Sequence, residues 1–122
     1  MTDFLGALEP AHREVLHELG LRRRYRAGDT LTRELDDAGG VWLLIAGEVA
    51  ASTLGPGGKE VLLGLAGPGE LVGELTALRG SRRSATLTAR TDVDALAVAA
   101  GDFRRFLRSV PGAALVVLDG VI

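Results

Sequence analysis

The sequence predicts a mainly β body, a sandwich or barrel, with helices at its two ends. Short apolar runs alternate with turn residues from Leu21 to Val98, and apolar residues recur at helical spacing before and after that stretch. The chain has 122 residues, 47% of them hydrophobic, with a net charge of -2. That is enough for one domain with its own core and too apolar for a disordered tail.

The N-terminal stretch carries Leu8, Val15, Leu16 and Leu19 at helical spacing, with Phe4 and Leu5 before them. Pro10 interrupts the pattern and suits a first helical turn, because it has no N–H to donate. A short helical turn is expected, then a helix from Pro10 to Leu19. Gly20 is expected to stop it in the left-handed conformation.

The strand-like runs are Thr30–Arg33, Val41–Ala46, Val49–Thr53, Val61–Leu65, Ala85–Ala89 and Val93–Val98. Glycine and proline separate them, notably Gly55-Pro56-Gly57-Gly58 and Gly67-Pro68-Gly69. Pro followed by Gly supplies the two backbone angles of a type II turn. Val61, Leu63 and Leu65 alternate with their neighbours, which predicts a strand with one buried face. After the strands, Phe103, Phe106, Leu107 and Val110 share a helical face, with Arg104, Arg105 and Arg108 elsewhere. Asp102 is the expected N-cap. Pro111 breaks or restarts that helix, and Ala113 to Ile122 is almost wholly apolar. Such a segment must be buried against something, either as part of a longer helix or as a dimer surface.

Composition removes several function classes. There is no cysteine, hence no disulfide, thiol nucleophile or cysteine zinc site. No apolar run approaches the roughly 20 residues that span a bilayer. The N-terminus lacks the basic-then-apolar order of a secretion signal. A cytoplasmic protein with no membrane partner is expected. Arginine outnumbers lysine 13 to 1, which reads as a GC-rich bacterial genome. The overall balance is slightly acidic, so the chain is not expected to bind nucleic acid by itself. Arg22, Arg23, Arg24 and Arg26 read as a solvated strand or helix exit. His12 and His17 lie five positions apart, share no helical face well, and read as surface residues. No serine has a histidine base in a strand–turn–helix setting, and the strands carry no histidine cluster. No enzyme chemistry is therefore expected. Trp42 reads as core packing before ring stacking. Arg79 and Arg82 read as solvated loop arginines.

One stretch departs from the regular pattern, Leu71 to Leu87. Gly73 to Leu78 reads as a single helical turn between strands. Gly73 lets backbone approach a ligand, and the N–H groups of the turn favour an anion. Arg83 can hold two phosphate oxygens at once. Ser84 adds a hydroxyl donor and Ala85 a backbone N–H. Glu74 is an anion beside an anion site, which makes sense if it accepts from sugar hydroxyls. The residues thus point to a pocket for a phosphorylated sugar. The competing reading is a surface loop in which Glu74 and Arg83 form an ion pair.

This stretch resembles the phosphate-binding cassette of the cyclic-nucleotide-binding domains. That pattern is Gly-Glu-Leu, a short spacer, then Arg-(Ala/Ser/Thr)-Ala-(Thr/Ser)-(Val/Leu). Here Gly73-Glu74-Leu75 is followed after seven residues by Arg83-Ser84-Ala85-Thr86-Leu87. Tyr25-Arg26-Ala27-Gly28-Asp29 is similar to the family's early strand–turn motif, Val41 to Val49 to its central hairpin, and Gly67-Pro68-Gly69-Glu70 to the approach to the cassette. Phe103, Phe106 and Pro111 are similar to its following helix. One departure is Glu34-Leu35-Asp36, where many members have Glu-Gly-Asp, so that turn is expected to differ locally.

The resemblance implies a β-roll, a jelly-roll-like double-stranded barrel, flanked by N- and C-terminal helices. It implies that Arg83 pairs with the cyclic phosphate and Glu74 binds the ribose 2′-hydroxyl. Gly73, Leu75 and Ala85 would give backbone contacts, and Ser84 a hydroxyl. Arg-Ser-Ala and the Phe4-Leu5 start look like the bacterial catabolite activator type. The expectation is therefore a sensor domain of a bacterial transcription regulator over residues 1–122, cut within a long dimerisation helix. The ligand is cAMP, with cGMP as the other candidate, and no cofactor or metal is implied. A homodimer through the C-terminal helix is expected in the full-length protein, and DNA contact only through a domain absent here. The alternatives are a ligand-free structural or dimerisation module of the same fold, and a regulatory domain of a channel, kinase or membrane esterase.

Overall fold

The computed structural model describes residues 4–35, 39–74, 82–110 and 112. The helices are α1 (Phe4–Ala7), α2 (Pro10–Leu19) and α3 (Ala100–Ser109). Eight strands lie between α2 and α3 among the described residues: β1 (Leu21–Tyr25), β2 (Thr30–Thr32), β3 (Gly40–Ala46), β4 (Val49–Leu54), β5 (Glu60–Ala66), β6 (Leu71–Val72), β7 (Thr86–Ala89) and β8 (Val93–Ala99). They form two antiparallel four-stranded sheets, ordered β1-β8-β3-β6 and β2-β7-β4-β5. This is the expected β-roll with flanking helices.

The first sheet is covered on both faces at its centre, which is why β3 and β8 read as nearly unbroken apolar runs, while its edge strand β1 is mostly exposed. Val41 and Leu43 of β3, with Leu96 and Val98 of β8, point outward onto Phe4, Leu8, Leu16, Phe103 and Phe106. Leu44, Val93 and Ala95 point inward, to Val49, Ala66, Leu87 and Ala89 of the second sheet. Trp42 and Tyr25 pack at the margin of that inner core. In β7 the alternation is plain, with Leu87 and Ala89 buried and Thr86 and Thr88 less so.

Both Pro-Gly turns form as expected. Gly57 and Gly69 have positive φ, and Gly58 N–H donates to Gly55 O at 3.0 Å and Glu70 N–H to Gly67 O at 3.2 Å. The basic run is a strand, β1, and Arg22 pairs with Asp94 of the adjoining β8.

Several expectations are corrected. Gly20 is extended (φ -103°), and a Cβ there would lie 2.5 Å from Leu96 Cγ, so the position requires space rather than left-handed freedom. Asp102 does not cap α3. Ala99 holds the N-cap position, and Asp102 sits inside the first turn, where its carboxylate accepts from Arg105. The strand β5 has no large buried side chain: Leu63 is 53% exposed, Val61 and Leu65 are exposed too, and only Ala66 is buried. It is one of the two edge strands of its sheet, with β4 as its one neighbour. The turn after β2 keeps the backbone that glycine would take, since Leu35 has φ 72°. It is held there by its own N–H, which donates to Arg83 O at 2.8 Å, and by the neighbouring Glu34, whose N–H donates to Thr86 Oγ1 at 2.9 Å. Leu75, Arg79, Pro111, the turn beyond Glu74 and the segment 113–122 lie outside the described residues, as does Asp36.

Candidate ligand-binding site

The site is built where the inner core thins out. Along the inward face of β8 the side chains shrink to Ala95, Ala97 and Ala99, and β3 opposite begins at Gly40. Small residues in register leave space between the sheets. Among the described residues a cleft of about 410 Å³ results, with Tyr25, Leu31, Gly40, Trp42, Arg83 and Ala97 in its lining.

The approach to the cassette is stitched to β3. Leu44 N–H donates to Glu70 O at 2.9 Å, Gly69 N–H donates to Leu44 O at 2.7 Å, and Glu70 Oε1 accepts from Gly67 N–H at 3.1 Å. The two-residue strand β6 follows, paired with Trp42 and Leu43, and delivers Gly73. Its φ of +82° favours glycine, and a Cβ there would stand 2.6 Å from Arg83 Nη1 and 3.2 Å from Trp42 Cζ3. No side chain fits between the cassette backbone and the arginine.

Arg83 is 3% exposed. A buried guanidinium is tolerated only where its charge and donors are met. Its Nη1 donates to Gly73 O at 2.7 Å, its Nη2 donates to Gly40 O, and its Cζ lies 5.1 Å from the centre of the Trp42 ring. The surface-loop reading of Arg83 is thereby overturned. Trp42 makes the core contacts expected of it, and in addition it carries the arginine on its ring and its Nε1 donates to Tyr25 Oη at 3.0 Å.

Glu74 is only partly accessible, and burial lifts its carboxyl above the usual carboxylate range. Its own backbone N–H and the Arg83 charge pull the other way with less effect. Ser84 is exposed, Ala85 half-buried, and neither they nor Glu74 line the cleft. Arg83 is thus the expected residue shared by cassette and cleft. The structure brings Gly73, Glu74 and Arg83 together and leaves Ser84 and Ala85 at the entry to β7. Leu75 lies outside the described residues.

Sequence reasoning gave Gly40 and Tyr25 no part in the site and read Trp42 as core packing. Gly40 acts through its carbonyl, which no residue pattern announces. Tyr25 and Trp42 are the only tyrosine and the only tryptophan, and that scarcity was the one signal available.

The family model for the cyclic nucleotide-binding domain matches residues 22–110. The chain is 34% identical over 90 residues to the cyclic AMP receptor protein of Thermus thermophilus, covering 74% of this chain and 42% of that protein. It therefore spans less than half the length of that relative. The crystal structure of the Thermus thermophilus catabolite activator protein superposes with a TM-score of 0.86 at 29% identity, over 97% of this chain and 55% of the other. The N-terminal domain of a transcriptional regulator from Streptomyces coelicolor A3(2) gives a TM-score of 0.78 at 31% identity, over 97% and 82%.

Proposed function

We propose, from the premise that this chain belongs to the cyclic nucleotide-binding domain family, that it is the cAMP-sensing domain of a bacterial transcription regulator. The observation that carries this reading is the buried Arg83, folded against Gly73 at the wall of an open cleft. A planar guanidinium with several N–H donors is suited to a cyclic phosphate. Two of those donors bond the backbone carbonyls of Gly73 and Gly40. A phosphate competes for them and offers a full negative charge in return, and charge-assisted bonds are worth roughly 1.5–3 kcal/mol each. Glu74 takes the ribose 2′-hydroxyl, Gly73, Leu75 and Ala85 supply backbone contacts, and Ser84 adds a hydroxyl. The choice of cAMP over cGMP follows the serine after the arginine, a position that in the family is commonly threonine in the cGMP-selective members.

The relay runs through the start of β3. Gly40 O accepts from Arg83, and the adjacent Gly39 O accepts from the N–H of Ala100, the first residue of α3, at 3.0 Å. A ligand that draws Arg83 away from Gly40 acts on the backbone that pins α3. It biases that helix only by its differential affinity for two arrangements. We assign dimer formation in the full-length protein to the segment after α3, DNA contact to a domain outside these residues, and the protein to the cytoplasm. The domain binds and signals; it is not read as an enzyme.

Calorimetric titration with cAMP tests the reading. Saturable heat is expected for the wild type and none for Arg83→Leu. A wild type that gives no heat, or a variant isotherm that matches it, overturns the assignment.

A further inference from the structure

Trp42 and Tyr25 have no role in the reading above, yet their geometry is specific. They stand on β3 and β1, which are not neighbours, because β8 lies between them. Tyr25 is in register with Val93 of β8, and Trp42 with Ala97. A hydrogen bond nevertheless joins them, Trp42 Nε1 donating to Tyr25 Oη at 3.0 Å. It is feasible because the inward side chain of β8 between those positions is Ala95, and Ala97 opposite Trp42 is as small, which lets two rings reach across the strand.

The indole is therefore constrained on three sides. Its N–H end is tethered by the Tyr25 hydroxyl. Its Cζ3 edge faces Gly73, where a Cβ would lie only 3.2 Å away. Arg83 Cζ lies over the ring at 5.1 Å. A guanidinium is attracted to a tryptophan face, and more strongly where water is excluded. Its N–H groups form a rigid fork, so fixing its plane fixes where every donor points.

We propose that Trp42 is the positioning residue of the phosphate-binding arginine and that Tyr25 acts through it as the tether. Trp42 sets the plane in which Arg83 presents its fork, and so sets affinity for the phosphate through the arginine. This rests on the sensor reading above. A residue that merely filled the core would affect stability, but it would not couple to Arg83.

Two arms test it on the full chain, with urea unfolding followed by far-UV circular dichroism to confirm that each variant folds. The first needs no nucleotide. Trp42 is the only tryptophan, so indole emission and its quenching by iodide report on the surroundings of this side chain alone. Arg83→Lys and Tyr25→Phe are each expected to shift the emission maximum and the quenching. Unchanged emission in both means that the stack is not formed, and overturns the proposal whatever the ligand does. The second arm titrates cAMP. Trp42→Leu is expected to weaken binding about ten-fold, whereas Trp42→Phe, which keeps a ring, stays within about three-fold of wild type. In an Arg83→Lys background Trp42→Leu is expected to add little, because the flat fork it positions is gone. Fully additive losses, or a Trp42→Phe as weak as Trp42→Leu, overturn the positioning role. If Trp42→Leu does not fold, Tyr25→Phe still decides: it deletes the same hydrogen bond as Trp42→Phe, a loss of about two- to three-fold is expected, and wild-type affinity together with wild-type emission overturns the tether. A wild type that binds no cAMP sinks the sensor reading and the phosphate role with it. The emission arm separates that result from a misplaced Trp42.

Discussion

Glu74 carries a conflict between stability and binding in a single carboxyl group. Burial holds its pKa above the ordinary carboxylate value, and the nearby Arg83 offsets only part of that rise. Between the ordinary value and the raised one, the folded chain holds more protons than the unfolded chain. Stability therefore falls as pH rises across that window and levels off above it. Below the ordinary value the carboxyl is neutral in both states and the penalty is absent. Glu74→Gln removes the titration. The variant is expected to be more stable than wild type above the window, and its urea midpoint should not decline across it. The same change replaces a charge-assisted acceptor with a neutral one. Loss of about 1 kcal/mol of ligand binding is expected, about five-fold in Kd. A variant with wild-type pH dependence would show that the carboxyl is well hydrated in the folded chain. A variant with wild-type affinity would show that it does not meet the ribose.

At the scale of elements, the deciding fact is how many faces of a strand are covered. Leu44 of β3 is completely buried between the sheets, while Leu62 of β5 is 56% exposed on an edge strand. Leu44→Ala is expected to cost about 2–5 kcal/mol. Leu62→Lys is expected to stay within about 0.5 kcal/mol, as a surface change does. Urea denaturation distinguishes them, and a large loss at Leu62 would mean that β5 is covered in solution. The same contrast explains what was legible in the sequence. Apolar runs and turn dipeptides located β3, β4, β7 and β8, and Pro10 marked the start of α2. These features are local, so a linear reading catches them. The error at β5 arose because alternation of Val61, Leu63 and Leu65 says that a strand can bury a face, not that anything lies opposite. The same limit applied to Gly20, whose requirement is the presence of Leu96 from a strand far along the chain. It applied equally to the site. The cassette residues Gly73, Glu74 and Arg83 were visible as a spacing. The carbonyl of Gly40 and the ring of Trp42 reach Arg83 only through the pairing of β3 with β6 and β8.

For the whole molecule, the sheet β1-β8-β3-β6 separates two cores, with the described helices on one face and the Arg83 cleft on the other. A signal from cleft to helix must cross or round this sheet. The short way round is at the start of β3, where consecutive carbonyls serve the two sides: Gly40 O for Arg83 and Gly39 O for Ala100 of α3. Cutting the second link without removing the first is feasible. Ala100 is the first helical residue, where proline is tolerated, and Ala99 before it is extended at ψ 144°, as a residue before proline must be. Ala100→Pro deletes the N–H that Gly39 receives, at a cost of about 1 kcal/mol. It leaves Arg83, Gly73 and Trp42 in place. With cAMP at a hundred times Kd, both proteins should gain about 2.7 kcal/mol of stability, visible as a raised midpoint of thermal unfolding. Only the wild type should show a ligand-dependent change in hydrogen exchange of the α3 amides. If α3 of the proline variant responds to cAMP as strongly as wild type, the Gly39–Ala100 bond is not the relay. The coupling would then have to pass through the packed side chains Val41, Leu43, Leu96 and Val98 that join the sheet to Phe103 and Phe106.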